Sequence, residues 1–175
     1  MGGYDGDVVF ENLELSRTVR AAGGREELAR SLFVARVPPT VRHFWSQRVR
    51  QAYDDLAQPT RLLLEAAILP LMAVVSRRMQ RRSGWRGLVT AGLTAGGLVV
   101  AVAELGRRRD GGAEVFPRTS ALWAPAWTLE RAVCVWIAVL RRLTGGVPYG
   151  GQRLVTAAHS VRHLQRRAAR GARQP

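Results

Sequence analysis

Lysine is absent: all 27 basic residues are arginine, and with 13 acidic residues the formal net charge is +14. Arginine-only usage, with abundant Ala, Gly and Val, reads as the signature of a GC-rich genome. It removes the argument that arginine was chosen over lysine here for bidentate chemistry. Cysteine is almost absent too. The lone Cys134 lies in an apolar block, which excludes an internal disulfide or a multi-cysteine metal centre and fits a buried thiol. His43, His159 and His163 complete the short supply of soft ligands; His159 and His163 are at i, i+4, but two histidines alone make a weak metal site. Residues 1–12 have neither a basic n-region nor an apolar h-region, so no signal peptide is expected and membrane insertion would rest on internal segments.

What the chain does have is apolar residues, 47% of the total, unevenly spread. The first 60 residues mix charged and apolar positions as a soluble fold does. From Leu62 onward, apolar blocks alternate with Arg77-Arg78, Arg81-Arg82, Arg107-Arg108-Arg109 and Arg141-Arg142, the texture of a membrane protein. Arginines at the edges of apolar blocks favour membrane flanks over a nucleic-acid groove, and no reader motif is present, so no nucleic-acid partner is expected.

Local signals place the elements. Val8-Val9-Phe10 reads as a strand end or buried turn, and a helix is predicted from about Leu13 to Ala22, with Asn12 as N-cap and Gly23-Gly24 as terminator. Leu32-Phe33-Val34 reads as a second short strand. Pro38-Pro39-Thr40 should start a helix at about Val41 that runs to about Leu56 and is closed by Pro59. Three apolar blocks follow. Residues 62–76 hold Glu65 and Pro70; residues 87–105 are clean apart from Glu104; residues 119–140 hold Pro125 and the Glu130-Arg131 pair. Only 87–105 fits the roughly 20 apolar residues of a span without qualification, because charges at mid-membrane cost about 3 kcal/mol or more each unless paired. Trp85, Trp123 and Trp127 suit interfacial positions. In the tail, Leu154, Ala158, Val161, Leu164 and Ala168 share a helical face, with Arg162, Arg166, Arg167 and Arg170 among the charged positions; a basic amphipathic helix on an anionic surface and a disordered basic tail are both open.

The informative stretch is residues 2–55: Gly-Gly-Tyr-Asp-Gly, Phe10-Glu11-Asn12-Leu13-Glu14-Leu15, Arg20-Ala-Ala-Gly-Gly, Pro38-Pro39-Thr40, and Phe44-Trp45-Ser46-Gln47-Arg48-Val49-Arg50-Gln51. This succession resembles the second half of the catalytic domain of family 2 inverting glycosyltransferases of the cellulose-synthase and ceramide-glucosyltransferase type. Those enzymes carry a Glu-Asp pair followed by an acidic residue and Leu at a helix start, a helix ending in Ala-Gly, and Gln-x-x-Arg-Trp before membrane helices. The resemblance covers 2–55 by motif and the remainder by layout.

Inverting sugar transfer needs a carboxylate to take the proton from the attacking acceptor hydroxyl. The resemblance matches Asn12 to the family's base, so Glu11 becomes the first candidate for that role and Glu14 the second. Both would also favour a helix N-terminus simply as negative charges. Gln47 and Arg50 match Gln-x-x-Arg, share a helix face at i, i+3 and, with Arg48, are the candidate substrate-binding residues. Their bland alternative is a solvated basic face. Gln51 stands where the family has Trp. Asp5-Gly6-Asp7 imitates the family's metal-holding Asp-x-Asp but lies four residues ahead of Glu11 rather than about a hundred in the family, and reads as an exposed acidic turn. Gly92 and Gly96 fit a helix-packing pair.

The expected fold class is therefore mainly α: a C-terminal fragment of a GT-A-type α/β catalytic domain, followed by transmembrane or interfacial helices. Residues 1–60 would be the catalytic portion, 61–143 membrane helices and 144–175 a basic cytoplasmic tail. The expected function is transfer of a sugar from a nucleotide donor to a lipid or polyisoprenoid acceptor, with inversion. Sixty mixed residues cannot bury a sizeable α/β core, so the nucleotide-binding half is expected elsewhere: before a mis-called start, lost from a gene fragment, or on a partner chain. No cofactor is assigned to this chain; the complete enzyme would take Mg or Mn. The competing reading is a non-catalytic integral membrane protein that binds anionic lipid or a partner helix. The expected location is the cell membrane, as a multi-pass or hairpin protein with its N-terminal region cytoplasmic. One economical arrangement keeps 62–76 in the interface and pairs 87–105 with 119–140 as a hairpin, whereas three spans would put the ends on opposite sides.

Overall fold

The computed structural model describes residues 6–35, 37–149 and 151–171. It is mainly helical: α1 (Glu11–Ala21), α2 (Val41–Asp54), α3 (Pro59–Arg107), α4 (Gly112–Val115), α5 (Ala124–Leu143) and α6 (Val161–Gly171), with one hairpin of β1 (Val147–Tyr149) and β2 (Gln152–Leu154). The chain divides into two compact units. One gathers residues 1–28, 39–63 and 134–175; the other holds 29–38 and 64–133.

The first unit joins both ends of the chain. Val8 makes a parallel bridge to Thr156, and the Val9 and Phe10 amides donate to the Thr156 and Ala157 carbonyls at 3.0 and 2.8 Å. The apolar run expected to be a strand end is therefore a single bridge rung. Glu11 and Glu14 sit in the first turn of α1 and Arg20 in its last, matching the helix dipole. Asn12 lies inside the helix rather than at its cap, since α1 begins at Glu11 with Phe10 as the boundary residue. Thr40 does cap α2, its hydroxyl accepting from the His43 amide at 3.4 Å. A 3-10 turn at Asp55–Ala57 ends α2. Pro59 opens α3 rather than closing α2, because the first turn of a helix needs no proline N–H.

The β-hairpin pairs Val147 with Leu154 and Pro148 with Arg153 in antiparallel register. Its entry needs glycine: Gly145 and Gly146 have φ +97° and +91°, and a Cβ on Gly146 would collide with the Leu154 carbonyl. Leu154, expected on the tail helix, is thus a strand residue, and α6 starts only at Val161. Leu164 of α6 is buried, and α6 packs on α1, so the apolar stripe of the tail is covered by protein. Val8, Ala52, Tyr53, Val135 and Ala138 complete the core of this unit.

In the second unit, Leu32-Phe33-Val34 forms no strand; Phe33 instead meets Phe116 edge-to-face with ring centroids 5.5 Å apart. Its main element is α3, 49 residues that absorb the blocks 62–76 and 87–105 and are broken at Gly84 (φ 59°, ψ −151°). Pro70 lies within the first arm without ending it. The third apolar block is divided between a 3-10 turn at Arg118–Trp123 and α5, where Pro125 falls in the first turn and interrupts nothing. Arg131, the charge that spoils that block, is 4% exposed and donates from Nε to Glu65 Oε2 at 2.7 Å. The charges in two separate apolar blocks are each other's partners.

Among the described residues, α3 is the one helix long and apolar enough to cross a membrane. No residue of its apolar window is buried by protein, and Leu93, Leu98 and Val102 are exposed. Apolar residues on every side, with no polar face, mark a helix for lipid or a buried core rather than for water.

Candidate functional site

The densest polar cluster lies along α1. Glu14 is fully buried, and both its oxygens are engaged by one residue: Oε2 accepts from the His159 amide at 2.7 Å, and Oε1 lies 3.0 Å from His159 Nδ1. One turn on, Arg17 donates to the His159 carbonyl at 2.7 Å and to the Ala57 carbonyl at 2.8 Å. Residues on the first, second and third segments of this unit are thereby held by two α1 side chains. His159 also stacks on His163, with ring centroids 4.6 Å apart and planes 15° from parallel, and Ser160 Oγ accepts from the His163 amide at the start of α6.

A second knot lies at the end of α2. Tyr53 is buried and donates its hydroxyl to the Val155 carbonyl at 2.7 Å. Burial pushes the Tyr53 pKa above its ordinary value, and the Arg142 guanidinium hydrogen-bonded beside it opposes that shift in part. Asp55, also buried, pairs with Arg61 Nε at 3.2 Å.

The residues singled out from the motifs fall into two groups. Glu11 and Glu14 share the first turn of α1; Glu11 is partly exposed, whereas Glu14 is sealed. Gln47, Arg48 and Arg50 share α2, all partly exposed. Arg48 Nη1 donates to Gln51 Oε1 at 2.8 Å, and its guanidinium lies over the Phe44 ring at 5.8 Å from the centroid. Gln51 is thus bound by its own helix. Arg17, which ties α1 to the carbonyl of Ala57 just past α2, had no motif to announce it. Nor had His159, since 145 positions separate it from Glu14. Of Asp5-Gly6-Asp7, Asp5 lies outside the described residues; Gly6 and Asp7 form an exposed turn. Among the described residues, no three His, Cys, Asp or Glu side chains gather into a group that could hold a metal ion.

Comparison with known proteins gives no similar one: no family model, no curated sequence and no solved structure matches the chain.

Proposed function

We propose that this chain is the C-terminal part of a membrane-bound family 2 glycosyltransferase, acting with a nucleotide-binding half that it does not itself contain. The observation that carries the reading is the ordered pair of elements Glu11-Asn12-Leu13-Glu14-Leu15 and Gln47-Arg48-Val49-Arg50, followed by a helix of membrane length. Support comes from local structure. Each element forms a helix, both helices belong to one unit, and Arg17 links α1 to the end of α2.

The two candidate bases are not equivalent in this setting. A general base must reach the acceptor hydroxyl directly or through one water. Glu14 is sealed and spends both oxygens on His159, which suits a strut; Glu11 keeps partial exposure in the first turn of α1, which suits the base better. Gln47, Arg48 and Arg50 would line the donor and acceptor phosphates, where arginine offsets negative charge. The acceptor would be a lipid or polyisoprenoid at the cytoplasmic face, where nucleotide sugars are found, with the protein multi-pass and its N-terminal region cytoplasmic. The divalent ion would be held by the Asp-x-Asp of the other half.

The test is reconstitution. Membranes carrying this chain together with the nucleotide-binding half should move labelled sugar from a nucleotide donor into extractable lipid, and Glu11→Gln should abolish that transfer. Unchanged transfer by Glu11→Gln would remove the base assignment.

A second reading, a non-catalytic membrane protein that packs against a partner helix, is favoured by Gly92 and Gly96. A Cβ on either would meet nothing within 4 Å, so the small-residue face of α3 is uncovered. It predicts helix-helix association that Gly92→Leu with Gly96→Leu removes, and no sugar transfer under any reconstitution.

A further inference from the structure

We infer that a groove on α3 beside the Gly84 break binds one anionic phospholipid, with its phosphate on Arg86 and an acyl chain along the helix beyond. The inference rests on the membrane reading of α3 but not on the glycosyltransferase reading, and it concerns residues of the second unit alone.

Charge comes first. Arg77, Arg78, Arg81, Arg82 and Arg86 lie close together in sequence, all exposed, and no acidic residue occurs between Glu65 and Glu104. Among the described residues none of these five arginines meets a carboxylate. Other arginines of this unit are matched: Arg131 holds Glu65, and Arg107 and Arg108 hold Glu104. Arg77 with Arg81, and Arg78 with Arg82, sit at i, i+4 ahead of the break, a spacing at which like charges repel. An anion relieves that repulsion, and beside a helix in lipid the anion at hand is a lipid phosphate.

Shape comes next. A straight helix is convex all round, and the break supplies the concavity. At Gly84 (φ 59°, ψ −151°) the helical path is interrupted, and a groove of about 630 Å³ lies between Met79 and Ser83 on one side of the break and Arg86 to Leu98 on the other. Glycine at position 87 keeps this end open, since a Cβ there would fall 2.6 Å from the Ser83 Cβ. The two ends of the groove differ in chemistry. Ser83 and Arg86 make the end at the break polar, whereas Ala91, Ala95 and Leu98 line the far end. Thr90 and Thr94 lie along the way, and the Thr90 hydroxyl is spent on the Arg86 carbonyl at 3.0 Å. From Arg86 to Leu98 the helix rises about 18 Å at ~1.5 Å per residue, close to the ~15 Å depth of one leaflet.

An anionic phospholipid suits both ends at once. Its phosphate accepts charge-assisted hydrogen bonds from a guanidinium, and its acyl chain covers the alanine and leucine wall. Trp85 sets the depth. It is 70% exposed, and the Arg86 guanidinium lies 6.0 Å from its ring centroid, so both belong at headgroup level, where tryptophan collects. A second copy of the chain is the poorer occupant, because a parallel copy brings five more arginines to the same level. Gly92 and Gly96 do not line the groove, so a partner helix packed on them would use other residues.

The experiment is native mass spectrometry of the full chain, delipidated in neutral detergent and offered phosphatidylglycerol or phosphatidylcholine, with inorganic phosphate as competitor. One phosphatidylglycerol should bind per chain, about tenfold more tightly than phosphatidylcholine, as the loss of a charge-assisted hydrogen bond implies. Arg86→Gln should lose about tenfold in affinity for phosphatidylglycerol, whereas Arg77→Gln, exposed and outside the groove, should stay within about twofold. Ala91→Trp and Ala95→Leu fill the far end and should each weaken binding. Equal affinity for the two lipids, an equal loss in Arg77→Gln, or a dimer that takes up no lipid would overturn the groove. So would unchanged affinity in both filling variants, or displacement of the lipid by phosphate at equal concentration, since either leaves no place for the chain. Extraction from membranes by alkaline carbonate would overturn the membrane reading and the groove with it; retention without lipid selectivity would overturn the groove alone. Loss of sugar transfer in reconstitution leaves the lipid count unaffected, so the two proposals fail separately.

Discussion

The His159 amide and Glu14 Oε2 meet at 2.7 Å across 145 positions of sequence, and the His159 ring closes on the other carboxylate oxygen at 3.0 Å. A sealed carboxylate with two donors from one residue is a strut between α1 and the turn ahead of α6. Removing it leaves the His159 amide without its acceptor at a part-buried position. Glu14→Ala should therefore cost about 1–3 kcal/mol, read as a lowered melting temperature in detergent. Hydrogen exchange at α6 should accelerate more than at α2, since the strut holds α6 directly. Equal protection of α6 in the variant would show that packing on α1 alone is sufficient.

The Tyr53 hydroxyl gives a pH-dependent prediction. Its pKa is raised above 10.0 by burial, so the folded chain holds the phenolic proton more tightly than the unfolded chain does. The contribution is complete below pH 10 and declines as pH rises through the folded value. Tyr53→Phe should lose about 1 kcal/mol at neutral pH with the bond to the Val155 carbonyl, and should also lose part of the alkaline destabilisation. A variant as alkali-sensitive as the parent would mean that another group governs that limb.

Much of the helical layout was legible in the sequence, because local chemistry sets it. Thr40 after two prolines caps α2 as such a residue should, and the glycines after Ala22 end α1 where the chain has no further apolar stripe to bury. Several misreadings come from partners distant in sequence. Val8 found a single bridge because Thr156 offered its carbonyl, and Leu154 joined a strand because Gly145 and Gly146 turn the chain back at that point. His159 looked partnerless because its partner sits near the other end of the chain. Pro59 and Pro125 looked like stops, yet both fall in first turns, where proline is tolerated. Glu11, Gln47, Arg48 and Arg50 were singled out by a motif resemblance alone, and no periodicity indicates which of Glu11 and Glu14 is sealed.

The Glu65–Arg131 pair predicts an asymmetry between single and double variants. Arg131→Met leaves Glu65 with its guanidinium gone, in surroundings that are 13% exposed, and should cost about 3–5 kcal/mol. Glu65→Leu leaves a nearly buried guanidinium and should cost a similar amount. The double variant removes both charges at once and should be milder than either single. Thermal denaturation of the four proteins in one detergent measures the coupling, and additive losses would deny that the two charges act as a pair.

Gly84 carries the last prediction. Its φ of 59° and ψ of −151° lie in a region that only glycine occupies comfortably. Gly84→Ala should cost about 1–3 kcal/mol if the break is kept. The chain can avoid that strain only by continuing the helix, giving a single rod of about 74 Å from its 49 residues. The variant should therefore lower the melting temperature, or gain helical signal without loss of stability if the two arms merge. Gly97→Ala is the control. Its Cβ would meet nothing within 4 Å and its backbone is helical, so alanine there should stabilise α3 by up to about 1 kcal/mol. Opposite signs for two Gly→Ala changes in one helix would tie the effect to the backbone at position 84 rather than to lost glycine in general. Matching signs would mean that the break is incidental to how α3 is held.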